Sequence, residues 1–298
     1  MLKSLLLATD FSERSDRALR RAVLLARQFK ADLRLVHVID DDQPDPVIAA
    51  EREVAQKLLA DLTSSLDENE GVTSESLVIT APPFSGILRA VDEFRPDLLI
   101  IGPHRRQALR DVFLGTTAER TFRAVDCPTL MANAMPARNY RHCLLTTDLA
   151  PESLKTLARH IELLEAISNR HSLLHVYELP TSGLLVSGNV PEQELEQLWR
   201  DARQQAEDKL NDFVTALVKE TDAAPDSLQQ LVRAQRLAAA EEILACASDA
   251  DADLLVVTNR NRSTLDKMFL GSVSSTVLKS AQRDVLVLPF RTTAAQAN

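Results

Sequence analysis

Gly102, Arg105, Gly115, Thr116 and Thr117 lie in one loop, GPHRRQALRDVFLGTT, that follows the apolar run DLLII and precedes AERTF. Glycines at the ends of such a loop let backbone N–H groups approach an anion without a Cβ in the way. Hydroxyls at the start of the next helix sit where the helix dipole favours negative charge. A guanidinium such as Arg105, flanked by His104 and Arg106, can add a bidentate contact to phosphate. Two plainer readings stand beside this one. Gly115 can shape the turn while Thr116 and Glu119 make a capping box, and the basic cluster can be a solvated loop. Asp10 is a second candidate, ending the apolar run LLLAT and opening a helical pattern. A carboxylate there can meet a ligand or accept N–H groups from the first helical turn.

The elements that must hold these residues occur twice. LLLATDFSERSDRAL (5–19) matches CLLTTDLAPESLKTL (143–157), and RLVHVID (34–40) matches LLHVYEL (173–179) through their shared His-Val, His37 with His175, both at an offset of 138. DLLIIGPHRR (97–106) matches DLLVVTNRNR (253–262), and FLG recurs, at an offset of 156. The second copy therefore carries an insertion between His175 and Asp253. Such self-similarity is read before anything else, because it sets the architecture. Two domains are expected, 1–134 and 139–291, joined near NAMPARNY and followed by a tail, 292–298.

Within the first copy, residues 4–8, 33–38, 76–80, 97–101 and 128–132 are short apolar runs of the kind that form buried strands. Ala18, Leu19, Ala22, Leu25 and Ala26 recur at helical spacing behind Ser12, a good N-cap. The second copy repeats the pattern with Leu154, Leu157, Ile161 and Leu164 behind Pro151. Its long second helix, near 191–219, places Leu195, Leu198, Trp199, Ala202, Ala206, Leu210, Phe213 and Leu217 on one broad face, where a Trp is usually core. Strands alternating with helices at this spacing predict an α/β fold with a parallel sheet and helices on both faces.

Composition removes several function classes. The 298 residues carry a formal charge of −9, with 18 basic and 21 acidic residues through Arg138 and 16 and 22 after it. Neither half offers a basic face, which disfavours nucleic acid and anionic membrane as partners. The opening MLKSLLLATDF is too short in apolar residues for a signal peptide, and no run approaches a membrane span, so a cytoplasmic protein is expected. Cys127, Cys143 and Cys246 show no CxxC spacing and read as reduced thiols rather than metal ligands. His37 and His175 follow two apolar residues late in a strand, with no acid or Cys at triad or ligand spacing, and read as core or interface histidines.

Four segments in the same order, twice, resemble the universal stress protein family: the ATDFS-type opening, the LVHV second strand, the fourth strand followed by a loop and FLG-[ST], and a final strand after CP or RD. The resemblance covers all but the tail and the insertion. It implies two tandem doubly wound domains, each a five-stranded parallel sheet of order 3-2-1-4-5, paired within the chain through their fifth strands, Pro128–Ala132 and Asp284–Leu288. That order puts a ligand crevice between strands one and four, where Asp10 and Gly102 converge.

ATP-binding members carry Gly-x2-Gly-x9-Gly-[Ser/Thr] after the fourth strand. The first copy keeps Gly102, Gly115 and Thr116, with Thr117 beside it, and has Arg105 where the second glycine belongs. The second copy has Thr258 and Asn261 and keeps only Gly271 and Ser272. The resemblance thus implies ATP or another adenine nucleotide, with Mg if bound, in the first domain. It would rest on Thr9, Asp10, Val38, Gly102, Arg105, Gly115, Thr116 and Thr117, and the degraded second site comprises Asp148, Val176, Gly271 and Ser272. The expected function is a non-catalytic stress-response and signalling protein. A homodimer and an unidentified protein partner also fit the family, as does a tandem scaffold without nucleotide. A slow ATPase is a rival, although the chain has no GxxxxGK loop and no nucleophile with a matching base.

Overall fold

The computed structural model describes residues 2–103, 116–180, 191–221, 228–259 and 271–290. By contacts the chain forms two compact units, Met1–Asn139 with Asn259–Asn298, and Tyr140–Thr258.

The first unit opens with β1 (Ser4–Ala8), α1 (Glu13–Phe29), β2 (Asp32–Ile39), α2 (Asp45–Glu70), β3 (Ser74–Thr80) and α3 (Pro83–Phe94). It continues with β4 (Leu98–Ile101), α4 (Thr116–Ala124) and β5 (Thr129–Met131). The first five strands run parallel in the order β3-β2-β1-β4-β5. That is the doubly wound arrangement, and its central strands β1 and β4 are buried on both faces: Leu5, Leu6, Leu7, Leu98, Leu99 and Ile100 are wholly inaccessible. Ser12 caps α1 by accepting from the Ser15 N–H. α2 ends on Gly71 in the left-handed region, φ 62°, where a residue without Cβ is least strained.

The second unit holds β6 (His142–Thr147), α5 (Pro151–Arg159), α6 (Ile161–Ile167), β7 (Arg170–Glu178), α7 (Glu192–Glu220), β8 (Leu228–Gln235), α8 (Ala239–Asp249) and β9 (Leu254–Thr258). Its strands are parallel in the order β8-β7-β6-β9, the same winding as in the first copy. No helix among the described residues is long and apolar enough to cross a membrane.

Compactness does not follow the repeats. The last helix and strand of the second copy, α9 (Ser272–Ser280) and β10 (Asp284–Leu288), belong to the first unit. There β10 runs antiparallel to β5, with Val285 opposite Met131 and Val287 opposite Thr129. Asp284, fully buried, accepts from Arg21 Nε at 2.9 Å and from the Ala134 N–H at 2.8 Å. Arg21 in turn donates from Nη1 to the Arg138 carbonyl at 2.8 Å. One ion pair therefore joins α1, the segment after β5 and the final strand.

Three expectations from the sequence change in detail. The helix read through Leu154 to Leu164 is broken at His160, whose N–H turns back to the carbonyls of Leu157 and Ala158 and whose Nδ1 meets the Thr156 carbonyl. The insertion is spread over several segments, with its largest part in the β7–α7 connection, 179–191 against 40–44 between β2 and α2, while α7 has 29 residues and α2 has 26. Trp199 is not core: it is 42% exposed and Leu198 is 40% exposed, because the buried positions of α7 begin only at Ala206.

Two expected outcomes follow from this packing. Asp284→Ala strands the Arg21 charge in the interior and should cost about 3–5 kcal/mol in urea denaturation followed by circular dichroism; a loss below about 1 kcal/mol would contradict the role given to the pair. In the second unit, burial holds His142, His171 and His175 below the ordinary imidazole value, against carbonyl hydrogen bonds that oppose it. The unfolded chain then takes up protons that the folded chain refuses, so stability is complete above pH 6.5 and falls as pH drops below it. Urea midpoints read from Trp199, the single tryptophan, should decrease between pH 7.5 and about pH 5.5.

Candidate functional site

The β1–α1 turn is built the same way in both copies. Phe11 and Leu149 both lie in the left-handed region, φ 57° and 61°. A non-glycine residue there needs local support. It comes from the preceding threonine: the Phe11 N–H donates to Thr9 Oγ1 at 3.1 Å, and the Leu149 N–H to Thr147 Oγ1 at 3.0 Å. The aspartate between them faces forward into the helix. Asp10 Oδ1 accepts from the Ser12 N–H at 3.0 Å, from Ser12 Oγ at 2.5 Å and from Ser15 Oγ. Ser15 Oγ also accepts from the Asp10 N–H at 3.2 Å. Asp148 Oδ1 accepts from the Ala150 N–H at 3.1 Å and Ser153 Oγ at 2.6 Å.

The plainer role of Asp10 is therefore real, but it occupies one oxygen. Asp10 Oδ2 meets Arg14 Nη2 at 3.5 Å, and the side chain is 60% exposed. Partial burial raises its pKa, yet the hydrogen bonds from Ser12 and Ser15 with the Arg14 charge outweigh that and hold the carboxyl below the ordinary value. The group is ionised at neutral pH.

The turn also decides what happens at Val38. β2 pairs with β1 only as far as Val36 opposite Ala8, with the Thr9 N–H donating to the Val36 carbonyl at 2.9 Å. Continuing the parallel ladder would take the Phe11 N–H to the Val38 carbonyl. The left-handed turn sends that N–H to Thr9 Oγ1 instead, so the β1–β2 ladder stops short of Val38. The Val38 side chain lies on the α3 face, where a Cβ on Gly86 would stand 2.4 Å from Val38 Cγ1. Val176, its counterpart on β7, follows the same turn at Leu149.

Gly102 directly follows β4, and a Cβ there would lie 3.1 Å from the Arg14 carbonyl oxygen of α1. Close approach of strand end and helix is reason enough for a glycine at this point. Thr117 lies in the first turn of α4, its carbonyl accepting from Thr121 Oγ1 at 2.8 Å, and Thr116 is the first residue of that helix. Glu119 pairs with Arg123 one turn on. Gly271 is the N-cap of α9 with nothing within 4 Å of an added Cβ, and Ser272 follows it, exposed. His104, Arg105, Arg106 and Gly115, with Arg260, Asn261 and Arg262 of the second copy, lie outside the described residues.

Thr9, Asp10, Val38 and Gly102 thus meet at the carboxyl ends of the neighbouring strands β2, β1 and β4. His37 does not serve as a free base here: its Nδ1 lies 2.9 Å from the Thr9 carbonyl, and its ring packs on Phe11 with centroids 4.4 Å apart. His175 repeats the contact with the Thr147 carbonyl at 3.2 Å. Each imidazole donates from Nδ1 to the strand end it supports. Among the described residues no group of three or more His, Cys, Asp or Glu could hold a metal ion, and the three cysteines are buried. Ser15 and Phe11 are parts of the turn that sequence reasoning missed; the recurrence of serine at 15 and 153, five residues after each aspartate, was the available signal.

Removing the Ser15 hydroxyl tests the turn. Ser15→Ala should cost about 1 kcal/mol, as loss of a cap does, and should raise the Asp10 pKa toward its ordinary value, read by carboxyl NMR titration. An unchanged titration would show that Ser15 does not hold the carboxylate.

The universal stress protein family model matches residues 1–133 and 139–289. A universal stress protein of Methanocaldococcus jannaschii is 23% identical over 142 residues, which is 44% of this chain and 82% of that protein. One from Bacillus subtilis is 24% identical over 147 residues, 44% of this chain and 99% of that protein. Among solved structures, a universal stress protein from Archaeoglobus fulgidus aligns over 96% of this chain and 98% of its own with a TM-score of 0.69 at 16% identity. A Pseudomonas aeruginosa protein described as functionally unknown aligns over 97% and 92% with a TM-score of 0.61 at 19% identity. The two turns built on Thr9-Asp10 and Thr147-Asp148 are thus the openings of two copies of one domain, and the chain belongs to the universal stress protein family.

Proposed function

We propose that this protein is a non-catalytic stress-response and signalling module whose first copy binds an adenine nucleotide, one per chain, with Mg2+ accompanying the phosphates. The observation that carries the reading is the left-handed turn at Phe11, which turns the edge of Val38 toward the crevice beside an ionised Asp10 with one oxygen outside the helix cap. A purine edge needs such a backbone donor and acceptor pair, and a ribose hydroxyl suits the remaining carboxylate oxygen. Gly102 and the first N–H groups of α4 at Thr116 and Thr117 stand on the β4 side, where phosphates would lie. Arg105 supplies charge in place of the missing glycine.

The second copy keeps the turn but has Thr258 in place of Gly102, and it is read as a partner domain without nucleotide. The fifth strands, β5 and β10, are the expected seam between copies, and a homodimer or protein partner would use other surfaces. The protein acts in the cytoplasm on this reading. A tandem scaffold without nucleotide is the second reading, favoured by the packing of Gly102 against Arg14, which explains that glycine without a ligand.

Isothermal titration with Mg-ATP separates the two. One site per chain is expected, weakened at least about tenfold in Asp10→Ala and unchanged in Gly271→Ala. Absence of binding, or equal binding by Asp10→Ala, would support the scaffold.

A further inference from the structure

α2 leaves Val47, Val54 and Leu58 exposed, at 42%, 59% and 46%. Spacings of seven and eleven residues fall on one helical stripe. That stripe borders a groove of about 540 Å³ between α2 and the β1–α1 turn, lined among others by Phe11, His37, Ile39, Val54 and Leu58. His37 and Ile39 alternate along β2 with Val38, whose side chain lies against Gly86 on the α3 face. The groove therefore lies on the α2 face of β2, opposite α3, and it adjoins the crevice at Val38, which also lines it.

Its charge is one-sided. Asp40 and Glu51 line the groove, and Asp41, Asp42, Asp45 and Glu53 are exposed on the same stretch. Of the basic residues within 40–58, Arg52 is turned to β3, where it donates to Thr80 Oγ1 and the Val78 carbonyl, and Lys57 is exposed on α2 but does not line the groove. An exposed apolar stripe rimmed by carboxylates is a surface held open for a partner of opposite charge. A second copy of this chain would set the same carboxylates against one another. The stripe from Val47 to Leu58 extends for roughly 16 Å, longer than a small ligand needs.

We propose that this groove docks a basic amphipathic helical segment of a protein partner. Apolar side chains of the segment enter between Phe11, His37, Val54 and Leu58, and its Lys or Arg residues meet Asp40 and Glu51. The mode is an amphipathic helix laid in an apolar groove, with specificity from the acidic rim. Because Val38 borders both the groove and the crevice, the docking is tested on chain free of nucleotide.

The probe is a fluorescein-labelled peptide of about 14 residues with Leu at i, i+3, i+4 and i+7 spacing and Lys elsewhere, titrated with the full chain by fluorescence anisotropy. Leu58→Asp and Val54→Asp, both at exposed positions and checked for folding by circular dichroism, should each weaken binding at least about fivefold although they add negative charge. Asp40→Asn with Glu51→Gln should weaken it as well, while Leu198→Asp on α7 should not. No binding of the peptide would overturn the proposal. So would Leu58→Asp and Val54→Asp binding as tightly as the parent, or a loss in Leu198→Asp equal to theirs, since attraction would then be coulombic and unlocalised.

Discussion

The reversal from β1 into α1 sets what the carboxyl end of this sheet can offer. A parallel strand that ends at a helix leaves backbone donors at the helix start and a ladder that must stop. Here Thr9 takes the N–H of a left-handed Phe11, and Asp10 takes the donors of Ser12 and Ser15. The same solution recurs at Thr147, Leu149, Asp148 and Ser153. Because the turn consumes one N–H locally, the second strand of each copy runs on past its partner, and Val38 and Val176 lie beyond the last paired residues. The stabilising turn and the proposed binding edge are two results of one geometry.

What differs between the copies lies away from that turn. Gly102 can sit against the Arg14 carbonyl because it has no Cβ, whereas the second copy has Thr258, a β-branched residue on strand β9. The first unit also gains the last strand of the chain, held by a buried carboxylate that joins Arg21 and Ala134. A buried ion pair is seldom a net source of stability compared with apolar packing, but breaking it is costly, which makes it a register device for β10. The repeat boundary in the sequence and the boundary of compactness consequently fall at different places.

The central strands were legible because burial on both faces demands continuous apolar runs, as in Leu5–Ala8 of β1 and Leu98–Ile101 of β4. Ser12 announced the start of α1 for a similar reason, as few residues can cap a helix. The break at His160 was not legible, since Ile161 and Leu164 keep helical spacing across it. Nor was the exposure of Trp199, because apolar periodicity states which face is apolar and not how far along the helix a neighbour reaches. At the candidate site the positions of Asp10, Val38 and Gly102 could be read from the repeat and its resemblance. The left-handed Phe11 and the Ser15 hydroxyl could not, because a phenylalanine carries no signal for positive φ and a serine inside a helix has many roles.

Native mass spectrometry of the gently purified chain tests the central claim most directly. The account predicts a single adenine nucleotide mass on each chain, retained in Gly271→Ala and absent from Asp10→Ala. An empty chain that stays empty with added Mg-ATP, or two nucleotides per chain, would contradict it.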